Sequence, residues 1–545
     1  METIRVEELT FSYPDSDKKA LKKVSFSVKQ GEFITICGRS GCGKTTLLRH
    51  LKAVLAPYGE KHGEVYYCGE KIENVKPMRQ AEEIGFIMQS PDNQIVCDRV
   101  WHEIAFSMEN AGFDMNTIRL RTAETAGFFG LEKIINKKIS QLSGGEKQLV
   151  NLAGVMVLQP KMLILDEPTS QLDPMAATEF LNFIEKINRE TGTTVIITEH
   201  RLEELFPLSD RVIVMTDGEI SFDGKPEDIY RKSEDIKGSE FIPYPAAVRI
   251  YSALKAETEC PLTVRDGRRF LNEYLMDSTI RYTSVNTVKQ STGESVLKLK
   301  NVTFSYEKGE ENVIRNLSLN IPSGSCYCIL GSNGSGKTTL LKLMSGILKP
   351  RGGKVIKKNG VRIGYLPQNV EALFTEDTVE KDIKRLIYYS FSDAEKRDEI
   401  FSRAVELSDI GEILSRHPFD ISGGEKERAG LGKVLACNPD IILLDEPTKG
   451  LDWEFKLKFV SVVEKLKGSG KTVVIVSHDI EFCCMCADYC VLLFDGEAAC
   501  ESDATSFFSG NSFYTSAANR ISRHIFENAV TCEDVIELCK KNKKM

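Results

Sequence analysis

The chain has 545 residues, 41% hydrophobic and 28% charged, with a net charge of −8 and a pI near 5.7. That length holds two to four domains, and the acidic balance argues against a nucleic-acid binder, whose footprint is basic. No apolar run approaches the roughly 18 residues of a membrane span, and the acidic start M-E-T-I-R-V-E-E-L-T predicts a strand rather than a signal peptide.

A membrane role is therefore expected to run through a partner, and fifteen cysteines without an export signal are expected to stay reduced inside the cell. Residues 4–9 alternate apolar and polar side chains and predict a strand of an antiparallel edge sheet. They lead into L-T-F-S-Y, ending on Tyr13, a candidate to stack on a base. The run F-I-T-I-C predicts a buried strand, followed by G-R-S-G-C-G-K-T-T at residues 38–46 and a helix. G-x-x-x-x-G-K-[ST] between a strand and a helix is a phosphate cradle: backbone N–H groups and the positive helix end converge on an anion. Gly38, Ser40, Gly41, Cys42, Gly43 and Thr46 frame it, Lys44 neutralises phosphate charge, and Thr45 offers a hydroxyl to Mg²⁺. Cys42, beside the helix start, is expected to be a low-pKa thiol whose alkylation blocks this site.

Farther on, the strand-like run at residues 84–87 ends in M-Q-S-P-D-N-Q-I-V-C-D-R-V, residues 88–100. Ser143 and Gly145 of L-S-G-G-E-K suit a second phosphate contact at a helix start. M-L-I-L then carries L-D-E-P-T, whose Asp166 is expected in the Mg²⁺ shell and whose Glu167 is expected to polarise the attacking water. After T-V-I-I-T, His200 is placed to reach the γ-phosphate.

The whole series then repeats. Tyr306 ends V-T-F-S-Y, and residues 331–339 read G-S-N-G-S-G-K-T-T. There Gly331, Asn333, Gly334, Ser335, Gly336 and Thr339 frame the phosphates, with Lys337 and Thr338 in the roles of Lys44 and Thr45. Gln368, Ser422, Gly424, Asp445, Glu446 and His478 follow in the same order. The offset between halves is 293 up to the lysines and 279 from the glutamines to the aspartates, so the first half holds 14 more residues between loop and glutamine. The histidines stand 33 and 32 residues after the glutamates, and each S-G-G-E-K begins 23 residues before its aspartate. This double spacing makes coincidence an untenable explanation.

These motifs resemble two ATP-binding-cassette ATPase domains fused in tandem. The resemblance implies an α/β fold of two P-loop domains, each with a RecA-like parallel-sheet core, an antiparallel edge sheet and a helical signature subdomain. A small C-terminal helical appendage is expected on each. The expected organisation is a first cassette at 1–235, a helical appendage and linker at 236–295, a second cassette at 296–505 and a C-terminal appendage at 506–545. The resemblance also implies that each ATP, with Mg²⁺, lies between the loop of one half and the signature of the other, the halves pairing within one chain. Tyr13, Lys44, Thr45, Gln89, Asp166, Glu167 and His200 are then closed by Ser422 and Gly424. Tyr306, Lys337, Thr338, Gln368, Asp445, Glu446 and His478 are closed by Ser143 and Gly145. Gln89 and Gln368 are implied to sense the nucleotide through Mg²⁺ or the water. Neither site lacks a catalytic residue type, so two competent sites are expected, and Leu149 opposite Arg428, with S-Q-L-D opposite K-G-L-D, raises the hypothesis that they turn over unequally.

Q-S-P-D-N-Q-I-V, together with L-P-Q-N-V-E-A-L-F, T-E-H-R-L-E-E and N-S-F-Y-T-S-A-A-N-R, resembles energy-coupling-factor ATPases that drive vitamin and metal-ion uptake. That implies a transmembrane scaffold subunit, a substrate-binding membrane subunit, no nucleic acid, and a place on the cytoplasmic face of the cell membrane. Asp92, Asn93 and Gln94 are expected to meet the scaffold. A fused sugar-importer ATPase and a soluble tandem translation factor are the alternatives. Members of the first often have one degraded site, and those of the second carry a long basic helical linker. Residues 233–295 instead have net charge −1 and contain Pro243, Pro245 and Pro261. T-x-x-D at Thr263 and Thr531 marks two helix starts. Cys483, Cys486 and Cys490 are expected to share one helical face and pack in a core, with Cys484 beside them, and K-K-N-K-K-M to be a solvated tail.

Overall fold

The computed structural model describes residues 2–14, 18–232, 236, 242–256, 258–276, 278–285, 294–307, 309 and 311–543. The end of the first expected cassette at 233–235, parts of the expected linker at 237–241, 257, 277 and 286–293, and the last two residues of the lysine-rich tail lie outside them.

Uninterrupted apolar runs make the parallel strands, because a strand covered on both faces has no solvent side on which to place polar groups. In the first half, β1 (Glu2–Ser12), β2 (Lys19–Lys29), β4 (Glu60–Tyr67) and β5 (Glu70–Lys71) form an antiparallel sheet in the order β2-β1-β4-β5. β3 (Phe33–Gly38), β6 (Ile84–Ile87), β7 (Met162–Asp166), β8 (Thr194–Thr198), β9 (Arg211–Thr216) and β10 (Glu219–Gly224) form the main sheet, ordered β10-β9-β3-β8-β7-β6. All its pairings are parallel except the edge hairpin of β9 and β10. The 14 extra residues of this half are taken up by β5 and the helix Pro77–Glu83.

The second half repeats the plan. β11 (Ser295–Phe304), β12 (Ile314–Pro322) and β14 (Gly352–Lys357) are antiparallel. β13 (Cys326–Leu330), β15 (Ile363–Leu366), β16 (Ile441–Asp445), β17 (Thr472–Val476), β18 (Tyr489–Phe494) and β19 (Glu497–Asp503) are ordered β15-β16-β17-β13-β18-β19. Each half thus sets its phosphate-loop strand, β3 or β13, inside the sheet, with two strands between it and the glutamine strand, β6 or β15.

The chain divides into two compact units, 1–266 and 267–545. The segment expected as one appendage divides with it. The helix Ala246–Leu254 belongs to the first unit, where Ala246 N–H donates to Glu203 Oε2 at 2.8 Å. Residues 267–285 belong to the second, pinned by Arg268 Nε to Arg520 O (2.7 Å), Arg281 N to Asn542 Oδ1 (2.9 Å) and Val285 N to Asn528 Oδ1 (2.7 Å). Both T-x-x-D signatures start helices: Thr263 and Thr531 hydroxyls accept the N–H of Asp266 and Asp534 at 3.1 Å each. No helix of the described residues is long and apolar enough to cross a membrane.

Candidate active sites

The phosphate loops end on helices Lys44–His50 and Lys337–Ser345, with Gly43 and Gly336 in the left-handed region at φ 103° and 97°. A Cβ at Gly43 would stand 2.5 Å from Ala20 O, so glycine is required there twice over. Lys44 Nζ reaches Gly38 O (3.0 Å) and Arg39 O (3.2 Å). Lys337 Nζ reaches Gly331 O (2.9 Å) and Ser332 O (2.8 Å) in the same way. In the first half a cleft of about 320 Å³ opens over the loop, lined by Tyr13, Ser40, Gly41, Lys44, Thr45 and Glu167 among others.

Each aspartate sits at a strand end against its loop threonine. Thr45 Oγ1 donates to Asp166 Oδ1 at 3.0 Å, and Thr338 Oγ1 to Asp445 Oδ1 at 3.1 Å. Burial pushes both carboxyls above their ordinary range, against the hydroxyls that hold them. Such hard oxygen pairs suit Mg²⁺. Bound there, Mg²⁺ would neutralise charge developing on a transferring phosphoryl group.

A second hydroxyl joins each aspartate, from opposite sides. Thr198, paired beside Asp166 on β8, donates to Asp166 Oδ1 at 2.9 Å. Its counterpart beside Asp445 is Val476. There the donor is Tyr365 of β15, whose hydroxyl reaches Asp445 Oδ2 at 3.1 Å, where the first half has Phe86. Sequence reading missed both. Thr198 and Tyr365 read as strand residues, and which strand neighbours an aspartate is set by sheet order, not by chain distance.

The next residue turns sharply. Glu167 and Glu446 have φ of 47° and 54°, a strained conformation for non-glycine residues costing on the order of 1–3 kcal/mol. Their N–H groups are tied to Thr198 O (3.0 Å) and Val476 O (2.9 Å), which holds the turn. It aims the carboxylates back toward the loops. Glu167 lies 2.9 Å from His200 Nε2, 3.2 Å from Gln89 Nε2 and 3.9 Å from Lys44 Nζ. Burial works against ionisation of Glu167, but His200 and then Lys44 overcome it and hold its pKa down at about 2. A carboxylate that acidic stays ionised and is a weak proton acceptor. Glu446 lies 2.7 Å from His478 Nδ1, the other ring nitrogen. The bond from Gln89 has no counterpart from Gln368 to Glu446 among the described residues. The predicted difference between the sites therefore lies in the company of the two glutamates as well as in the flanking loops.

Glu199 is a further residue that sequence reading did not single out in the first site. Buried between two turns, it accepts Thr169 N–H at 2.7 Å and His200 N–H at 3.0 Å, and so ties the loop after Glu167 to the histidine turn. Burial pushes its pKa up. The second half has Ser477 in its place.

Tyr13 and Tyr306 are held edge-on by Phe11 and Phe304, with hydroxyls bonded to Thr46 (3.0 Å) and Thr339 (2.9 Å). Both rings remain exposed. Ser143 and Ser422 cap the helices Gly144–Met156 and Gly423–Leu435 in reciprocal boxes with Glu146 and Glu425. The differing loops after the glutamates end alike, Asp173 and Asp452 capping the helices that follow.

Three expectations are corrected. The Cys42 thiol turns away from the cleft into the core, 5% exposed, and burial raises its pKa. Cys42 offers the cradle its backbone, not a reactive sulfur. The Gln94 amide is engaged within its own half. It spans Phe86 O (2.8 Å), Met88 N (2.9 Å) and Asn151 Nδ2 (3.1 Å), locking the turn Pro91–Asn93 to the end of β6. Cys483 and Cys486 lie on the helix Ile480–Cys486, but Cys490 lies on β18, so the three share a core rather than one helical face.

Asp92 remains on the surface and pairs with Lys147 of S-G-G-E-K at 2.6 Å. Glu371 and Lys426 repeat that link at 2.6 Å. In both halves, therefore, the turn after the glutamine is joined to the signature helix.

The family described as ABC transporter matches residues 21–170 and 314–449. A "Putative ABC transporter ATP-binding protein" of Bacillus cereus is 41% identical, covering 98% of this chain and 97% of that protein. The "Putative HMP/thiamine import ATP-binding protein YkoD" of Bacillus subtilis is 29% identical over 93% of each. Among solved structures, a model of ribosome-bound archaeal Pelota and ABCE1 aligns with a TM-score of 0.65 at 21% identity, covering 96% of this chain and 86% of that one. At that identity the likeness shows the fold alone.

Proposed function

The chain belongs to the ABC transporter family and hydrolyses ATP, and on that premise we propose that it is the energy-coupling subunit of an importer of the energy-coupling-factor type. ATP with Mg²⁺ binds on Lys44 and Thr45 and on Lys337 and Thr338, with Asp166 and Asp445 completing the metal donors. Glu167 and Glu446 orient the attacking water beside His200 and His478. The protein sits on the cytoplasmic face of the membrane, held by a transmembrane scaffold, while a separate membrane subunit captures a vitamin or metal ion.

The observation that carries this reading is the turn after Gln89. On one side Gln89 meets the catalytic carboxylate at 3.2 Å; on the other, exposed Asp92 grips the signature lysine. A partner seated on Asp92 would therefore act on the carboxylate and on the signature helix at once. A relative named for HMP/thiamine import, similar along 93% of this chain, supports a vitamin among the cargo classes.

The test is purification of tagged full-length protein from detergent-solubilised membranes. A stoichiometric polytopic scaffold and a small membrane protein are expected to come with it, and to confer ATP-dependent uptake when reconstituted in liposomes. Recovery away from membranes, with co-sedimentation on ribosomes under an ATP trap, would overturn the reading in favour of the translation class. A sugar-transporting permease in the complex would favour the sugar importers.

A further inference from the structure

The second half contains a thiol cluster that phosphate chemistry does not use. Cys326 and Cys328 alternate on β13 and face the same way. Cys483 and Cys486 are three apart on the helix Ile480–Cys486, and Cys490 of β18 pairs directly beside Cys328. The sulfurs of Cys326, Cys328 and Cys486 all lie within 4.8 Å of one another. The Cys328 thiol also interacts with those of Cys483 and Cys490. None of the five is more than 2% exposed.

The first half shows what this part of the fold requires. By the repeat, the same five places hold Phe33, Thr35, Leu205, Leu208 and Val212. The correspondence is structural as well: Thr35 pairs with Val212 as Cys328 pairs with Cys490. Phe33 N–H bonds Asp210 at 2.9 Å as Cys326 N–H bonds Asp488 at 2.7 Å. An apolar or hydroxyl filling therefore satisfies the core. A lone buried cysteine is a small hydrophobe, but core filling does not call for four thiols around a fifth.

We propose that this cluster holds a thiophilic closed-shell metal ion, zinc(II) or copper(I), on Cys326, Cys328 and Cys486, with Cys483 or Cys490 completing the set. Thiolates around tetrahedral zinc stand about 3.8 Å apart, for Zn–S bonds of about 2.3 Å, and the three sulfurs lie within 4.8 Å of one another. Soft sulfur selects these ions over Mg²⁺. Each ligating S–H releases its proton to solvent as its sulfur–metal bond forms, so no oxidant or reductant enters. Lys467, held at 3.0 Å by Asp488, stands beside the cluster, where Asp488 also takes the Cys326 N–H at 2.7 Å. Burial requires that the ion enter as the half folds. Once in place it would fasten the helix after His478 to the strand that leads into the second phosphate loop.

Full-length protein is to be expressed in medium supplemented with zinc or with copper and purified without chelator. Metal per chain is measured, and free thiols are counted in denaturant. About one ion per chain is expected. Its content should fall at least tenfold in Cys328→Thr and in Cys486→Leu, which carry the first half's residues, and hold in Cys68→Ser, an exposed cysteine outside the cluster. Cobalt-loaded protein should show thiolate-to-cobalt charge-transfer absorption that Cys328→Thr lacks. The element recovered distinguishes zinc from copper. Should the variants fail to fold, refolding the wild type with and without Zn²⁺ or Cu⁺ decides, with retained ion expected. Metal-free wild type from both routes, with all fifteen thiols titrating, would overturn the proposal in favour of core packing. Missing thiols without metal would overturn it in favour of a disulfide, and a brown iron–sulfur protein in favour of a cluster.

Discussion

Glu167 divides its oxygens between His200 and Gln89 and lies near Lys44, whereas Glu446 meets His478 through the other ring nitrogen. Replacing each by glutamine should therefore leave different residual ATPase rates, each change costing its own site about 10²-fold through lost positioning. Equal residual rates would show that the two sites turn over alike. The depressed Glu167 pKa also has a stability consequence. Its folded value is about 2 against an ordinary 4.5, so its stabilisation is complete above 4.5 and lost as pH falls toward 2. Across that window the melting temperature of Glu167→Gln should fall less steeply than that of the wild type; parallel curves would refute the assignment. Tyr365→Phe should raise the Mg²⁺ needed for hydrolysis about tenfold at the second site, the worth of one hydrogen bond to a charged group. Adding Val476→Thr should restore it, and failure of that rescue would mean the phenol does something other than steady Asp445. At this scale the loop lysines, carboxylates and histidines were legible because each lies in a local motif whose backbone geometry carries its chemistry. Thr198 and Tyr365 were not, because their partners are a strand away.

Among the elements, the turn Pro91–Asn93 has an inward side and an outward side. Gln94→Ala leaves Phe86 O and Met88 N–H without a partner and should cost about 1–3 kcal/mol of stability. Asp92→Ala and Glu371→Ala break surface pairs worth only about 0–1 kcal/mol. They should leave melting and basal ATPase nearly unchanged while lowering transport in the reconstituted complex. If ATPase fell in step with transport, the link to the signature helix would be catalytic rather than a coupling device. The composition of this loop marked it as special, but the alternation of inward and outward side chains in a short 3-10 turn left no period to read. The second half reinforces the same place differently: Lys433 pairs with buried Asp382 at 2.5 Å, where the first half has Gly154 and Glu103.

For the molecule as a whole, the duplication was fully visible, because its motifs recur at fixed offsets. The division of the linker was not. It rests on asparagines far along the chain, Asn528 and Asn542, whose side chains take the N–H groups of Val285, Arg281 and Tyr282. Asn542 is buried, so Asn542→Ala should destabilise the second unit by about 1–3 kcal/mol and expose the segment 278–285 to limited proteolysis. Unchanged cleavage kinetics would show that the segment is held by other contacts.

The two hydroxyl patterns around Asp166 and Asp445 bear on how a duplicated gene diverges. Thr198 with Phe86, and Tyr365 with Val476, meet one requirement from opposite flanks. Each aspartate receives a second hydroxyl, and either flanking strand can supply it. A lineage that gains the second hydroxyl before losing the first passes between the patterns without an inactive intermediate. The two halves can then drift apart beside this aspartate while the number of hydroxyls on it stays fixed.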